Sequence, residues 1–281
     1  MLRMTNRFLP LLALVLLATG ASSQAQIRVA LAAERSTFLL YEPMVITVQL
    51  ANSSGERIVL NSGPSDRPWL SFLVRSVDGR KIRSEQPLSL DPVILEPGQS
   101  RLLSVDLTPL YAIRETGQYT VQASVQPPGR QAYLTDGLAI SVGKGETLWT
   151  KSYVDGGSKR VVSLIRFMDR KDVSLYLRVE EPQENLVYST VRLGKFVAFT
   201  SPQVELDAQR GIHIVHPVGA RLYRYTRANA EGSVIQQEDR ESGTSQPALA
   251  ARPGGQVEFV GGVEQKQQTE RPRLSELQQG I

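Results

Sequence analysis

The sequence predicts an all-β protein: two antiparallel β modules, an export signal ahead of them and a disordered tail behind. Apolar residues recur at every second position almost throughout, the period of a half-buried strand and not of a helix. Clusters of Gly, Pro, Asn, Asp and Ser punctuate those runs with turn chemistry. A 41% hydrophobic share over 281 residues supplies a core and leaves room for two domains.

Residues 1–25 read as a secretory signal. Arg3 and Arg7 form a basic start, Phe8 to Ala18 an apolar stretch, and Ser23-Gln24-Ala25 a cleavage site with small residues at the required places. The apolar run is short of the roughly 20 residues a membrane-spanning helix needs, so no integral span is expected after cleavage. An exported chain with no cysteine points to a bacterial periplasm or the extracellular space, because small secreted eukaryotic domains lean on disulfides. It also excludes thiolate and iron–sulfur chemistry.

The first module spans 26–143. Ile46, Val48 and Leu50 alternate with Thr47 and Gln49, and Leu70, Phe72 and Val74 with Ser71, Leu73 and Arg75. The same pattern runs through Leu103–Leu107, Tyr119–Val125 and Leu138–Val142. Asn52-Ser53-Ser54-Gly55, Asp78-Gly79, Glu96-Pro97-Gly98-Gln99 and Pro127-Pro128-Gly129 separate the runs, and residues 108–114 allow one short helical turn. Short strands at this spacing predict two facing sheets. Thr116-Gly117-Gln118-Tyr119-Thr120-Val121 is similar to the start of strand F in immunoglobulin-like sandwiches, with Val121 where antibody domains carry cysteine. With Phe38–Val48 and Leu95–Ser100, this module resembles bacterial immunoglobulin-like modules of the intracellular-proteinase-inhibitor and macroglobulin types. The resemblance implies a β-sandwich and carries no catalytic motif.

The second module spans 146–237, after a short Gly–Lys hinge. Strands are expected at 161–167, 173–179, 186–191, 212–215, 221–225 and 234–236. An offset of 47 residues aligns Ile165 and Phe167 with Ile212 and Ile214, Leu175-Tyr176 with Leu222-Tyr223, and Val187 with Val234. The offset fits either a duplicated β-meander or two meanders of similar length packed together. His213 and His216, the only histidines, lie on opposite faces of a strand, which disfavours shared metal ligation and suggests solvent-facing side chains. A site of Asp207 with one histidine is the alternative. Glu180-Glu181 reads as a hairpin edge beside Pro182. No nucleophile elbow, zinc-protease motif or phosphate loop occurs, and no cofactor is expected.

From Glu238 to Ile281 the composition turns to Gln, Glu, Arg, Gly, Ser and Pro, with one apolar island at Val257–Val260; disorder is expected there, the island being either transiently extended or a strand added to a sheet edge. The formal charge of +4 falls to +2 once Arg3 and Arg7 leave, too little for a nucleic-acid footprint. The expected function is a non-enzymatic binding, adaptor or structural element of the bacterial envelope, meeting another envelope protein or a glycan. Contacts are expected through Trp69, Tyr133, Tyr223 and Tyr225 and the loop at 126–137. Proteinase inhibition by a loop of the first module, and a hydrolase with scattered site residues, are the alternatives.

Overall fold

The computed structural model describes residues 27–62, 68–170 and 172–264, all of them strand, turn or loop. The signal expected at 1–25 and the last part of the tail, 265–281, lie outside them. No helix among the described residues is long and apolar enough to cross a membrane.

The first module begins with β1 (Ile27–Ala33) and β2 (Thr37–Leu39), then β3 (Val45–Asn52), β4 (Ile58–Leu60), β5 (Leu70–Ser76) and β6 (Val93–Leu95). It continues through β7 (Ser100–Asp106), β8 (Gly117–Val125), β9 (Tyr133–Leu134) and β10 (Leu138–Gly143). One sheet has the order β1-β3-β7 and a second β2-β10-β8-β5, with β9 also on β8 and β4-β6 forming a separate pair. The break at Glu34–Ser36 sends the chain from one sheet to the other, where β2 runs parallel to β10. Strict alternation explains the shared core. Ile46, Val48 and Leu50 from β3 meet Leu70, Phe72 and Val74 from β5 and Tyr119, Val121 and Ala123 from β8. The Tyr119 hydroxyl donates to the Glu115 carbonyl at 2.7 Å, pinning the approach to β8 to its own backbone. Residues 108–114 form no helix; Leu110 and Tyr111 N–H both close on the Leu107 carbonyl in a single turn.

The second module opens with a strand the periodicity does not reveal, β11 (Glu146–Asp155), followed by β12 (Ser158–Asp169), β13 (Asp172–Glu181) and β14 (Leu186–Lys195) in one four-stranded meander. A second meander has β15 (Gln203–Leu206), β16 (Ile212–Pro217), β17 (Leu222–Ala228) and β18 (Val234–Glu241). Val162, Leu164, Leu175 and Leu177 of the first sheet share a core with Ile212, Ile214 and Ala228 of the second. The 47-residue offset superposes strands of equal rank in the two meanders, β12 on β16 and β13 on β17.

The expected disorder from Glu238 is corrected as far as Glu264. β18 runs on to Glu241, and β19 (Ala248–Arg252) pairs with β20 (Gln256–Val260) as a hairpin around Gly254 and Gly255, both with positive φ. β21 (Val263–Glu264) then returns to β18. Backbone pairing between β19 and β20, and between β18 and β21, orders this stretch. Leu249 and Phe259 bury its sparse apolar surface against Val215, Tyr223 and Tyr225.

The two modules are joined by more than a hinge. Leu39 packs in a cluster with Ile165, Phe167 and Tyr176, and the crossing chain runs so close that side chains are excluded. A Cβ on Gly143 would sit 2.8 Å from the Phe167 ring, and one on Gly145 would strike Ile165 and lie 2.7 Å from the Arg166 carbonyl. Gly145→Ala is therefore expected to lower stability by about 1–3 kcal/mol, the usual cost of overpacking. Urea unfolding checks it: an unchanged midpoint would contradict this close approach.

Candidate functional site

The module junction brings a buried carboxylate together with partly buried guanidinium groups. Arg35, between β1 and β2, pairs with Glu42 through Nη2, and its Nη1 donates to the Tyr176 hydroxyl at 3.0 Å. Glu42 is only 2% exposed, and burial pushes its carboxyl above the usual range in spite of the Arg35 charge. Burial works against the Arg35 charge too, but Glu42 and Tyr176 outweigh it and leave the guanidinium more firmly protonated. Burial, then the Glu42 carboxylate, push the Tyr176 phenol up, so it stays neutral. From the other module Arg178 donates to the Leu40 carbonyl and lies 5.3 Å from the centre of the Tyr41 ring. Tyr41 itself has φ 70°, a conformation non-glycine residues rarely hold without support. Here the Arg178 contacts supply that support.

Beside this lock lies a cleft of about 480 Å³ lined by residues that include Glu34, Arg35, Ser36, Asp169, Arg170 and Arg192. Arg170 donates to the Ser36 hydroxyl at 2.9 Å, and Arg192 to Ser174 at 3.0 and 2.9 Å. Its lining combines the carboxylates of Glu34, Asp169 and Asp172 with the guanidinium groups of Arg35, Arg170 and Arg192, so the cleft suits a partner surface of mixed charge better than a single ion.

The residues singled out for contact are placed differently from the expectation. Trp69 is 1% exposed and belongs to the first core, so it is not a surface anchor. Tyr223 and Tyr225 do share a face, but each is only 5% exposed beneath the β19–β20 hairpin. Phe259 stacks on Tyr225 with ring centroids 4.7 Å apart, and Gln246 donates to the Tyr223 hydroxyl at 2.8 Å. The residues expected to be a disordered tail are the ones that cover this face. Tyr133 is half-buried on β9, its ring packed against the first core. The four aromatics form no common site.

The histidines are likewise corrected from solvent-facing to buried, because β16 is covered on both sides. Asp207 and His213 come together, as the alternative reading had it. His213 Nε2 lies 3.0 Å from Asp207 Oδ2, and Nδ1 2.8 Å from the Tyr225 hydroxyl. Burial opposes the Asp207 charge, but His213 and the Gly211 N–H hold its carboxyl below the usual range. With Phe259 roofing Tyr225, this chain of hydrogen bonds ties β16, β17 and the 207–211 turn together. Among the described residues no group of three or more metal-ligating side chains converges. His216 faces elsewhere, toward Phe196 and Arg224.

No family model matches the chain, and no curated protein matches its sequence. Among solved structures, the sporulation control protein Spo0M of Bacillus subtilis is similar with a TM-score of 0.29 and 10% identity, over 60% of this chain and 90% of that one. The E. coli chaperone DraB is similar with a TM-score of 0.25 and 12% identity, over 76% of this chain and 98% of that one. Likeness at this level carries no argument about activity, which is read from the chain's own geometry.

Proposed function

We propose that the chain is an exported, non-enzymatic adaptor of the bacterial envelope, built on an immunoglobulin-like first module and binding a protein or glycan partner. The order β1-β3-β7 facing β2-β10-β8-β5, the parallel β2–β10 pair and the Tyr119 bond to Glu115 favour the immunoglobulin-like reading. The observation that carries the adaptor role is the junction. Arg35, Glu42, Tyr176 and Arg178 hold the modules at one relative orientation, which is what a protein needs to present two surfaces to a partner at fixed spacing. The Asp207–His213–Tyr225 chain supports the non-enzymatic reading, since it is spent on joining strands under a roof of Phe259.

The test is made with the full chain in a bacterial host. A mature protein beginning at Gln26 in the periplasmic or secreted fraction is the expected result. A photo-crosslinking residue at Asp172, on the cleft, is expected to give a discrete adduct in intact cells. Retention in the cytoplasm with residues 1–25 still attached would end the export reading, and a cleft that yields no adduct would end the adaptor reading.

A further inference from the structure

At the outer edge of β5 the sheet splits. Ser76 N–H bonds the Arg80 carbonyl at 3.0 Å, and Ile82 N–H bonds the Val74 carbonyl at 2.9 Å, so a short return segment pairs with the end of β5. Past Ile82 that segment leaves β5 for a different neighbour. Glu85 N–H bonds the Leu110 carbonyl at 2.9 Å, and Ala112 N–H bonds the Arg83 carbonyl at 3.2 Å. The divergence opens a groove of about 530 Å³ whose apolar lining includes Phe72, Ile82, Leu88, Leu110 and Tyr111. Volumes of ~300–1,000 Å³ are typical of ligand clefts.

The floor of the groove is strand edge. Ser76 and Val74 direct their backbone groups outward, so alternation directs those of Phe72 outward as well. The Tyr111 hydroxyl donates to the Phe72 carbonyl at 2.5 Å, which leaves the Phe72 N–H as the donor facing the groove. The rim is basic. Lys81 and Arg83 line the groove, and among the described residues no carboxylate does. Elsewhere on this module Arg57, Arg80 and Arg114 each sit against a glutamate, whereas among the described residues no ion pair engages Lys81 or Arg83.

We propose that this groove binds an extended peptide segment with alternating carboxylate and apolar side chains, added as a short strand beside β5. The apolar side chains would enter toward Ile82 and Leu88, the carboxylates would meet Lys81 and Arg83, and a peptide carbonyl would accept the Phe72 N–H. Strand addition of this kind takes affinity from the backbone and selectivity from alternate side chains. The proposal rests on the binding-module reading and names its ligand class.

Fluorescence anisotropy with the full chain tests it, using a labelled hexapeptide that alternates valine and glutamate and a second that alternates valine and lysine. The acidic peptide is expected to bind at least about tenfold more tightly, and the K81E/R83E double variant to reverse or abolish that preference. Both substituted positions are exposed, and the circular dichroism of the variant is expected to match the parent. Amide NMR shifts on adding the acidic peptide are expected at Phe72, Ser84 and Tyr111. Equal affinity for the two peptides, an unaffected double variant, shifts confined to another edge, or no binding up to about 1 mM would each overturn the proposal. If it fails while the Asp172 cross-link still forms, the peptide class is wrong and the adaptor reading survives.

Discussion

Replacing Arg35 by alanine is expected to cost about 3–5 kcal/mol of stability, the range for breaking one side of a buried ion pair. The effect is large because of what remains. Glu42, 2% exposed, keeps a carboxylate with no cation beside it, and Tyr176 loses the donor to its hydroxyl. Replacing both partners, as in R35M/E42M, is expected to cost less than R35A alone, because no charge is then left stranded. Urea midpoints of the three proteins check this. A double variant less stable than the Arg35 single variant would show that the pair itself, and not the orphaned carboxylate, sets the loss.

Lowering the pH is expected to remove about 3 kcal/mol of stability through His216 alone. The ring is 0% exposed, and neither nitrogen has a hydrogen-bond partner of normal geometry. Burial, then the Arg224 guanidinium across the strand pair, hold its imidazole down to about 4. Asp239, bound to Arg224 by two hydrogen bonds of 2.7 and 2.8 Å, pulls the other way, as does the Lys195 backbone, and neither prevails. An unfolded chain takes up the same proton near pH ~6.5. The contribution is therefore complete above that value, falls as pH drops through the window from about 6.5 to 4, and levels off below it. His216→Phe keeps a ring beside Phe196 and removes the titration. Urea midpoints from pH 8 to 4 are expected to converge on acidification if the variant starts less stable, or to diverge in its favour if it starts equal. Carboxylates elsewhere act on both proteins alike and cancel in the comparison. Parallel curves would contradict the assignment.

Five strands of the first module, β3, β5, β7, β8 and β10, are legible because alternation of letters is alternation of burial, as at Ile46, Val48 and Leu50. The periodicity does not reveal β1, nor β2, β4, β6 and β9, which at two or three residues are too short to show a period. β11 was not legible. A bulge between Thr147 and Trp149 shifts its parity near the start, and as an edge strand it buries little. The order of the tail is hidden for a different reason. Leu249 and Phe259 are too few to signal a core locally, and their value comes from Tyr223 and Tyr225, which no window around residue 259 contains. The burial of the histidines is hidden from the sequence because β16 is covered on both faces, where alternation no longer separates inside from outside. Ile212, Ile214 and Val215, apolar on both parities, were the available signal. The junction was invisible, since Arg35 and Tyr176 are 141 residues apart, and a lone arginine ahead of a strand reads as solvated.

The contacts of Leu39 with Ile165, Phe167 and Tyr176, and of Arg35 and Arg178 across the junction, make the two modules one body. The chain has two tryptophans, Trp69 in the first core and Trp149 packed on the second. Uniform 5-fluorotryptophan labelling thus gives one fluorine resonance per module without substitution. In a urea titration followed by fluorine NMR, both native resonances are expected to lose intensity at the same denaturant concentration, and to separate in the R35A variant as the modules uncouple. If the Trp69 and Trp149 signals of the unaltered protein disappear at clearly different urea concentrations, the modules are independent and the proposed adaptor role is contradicted.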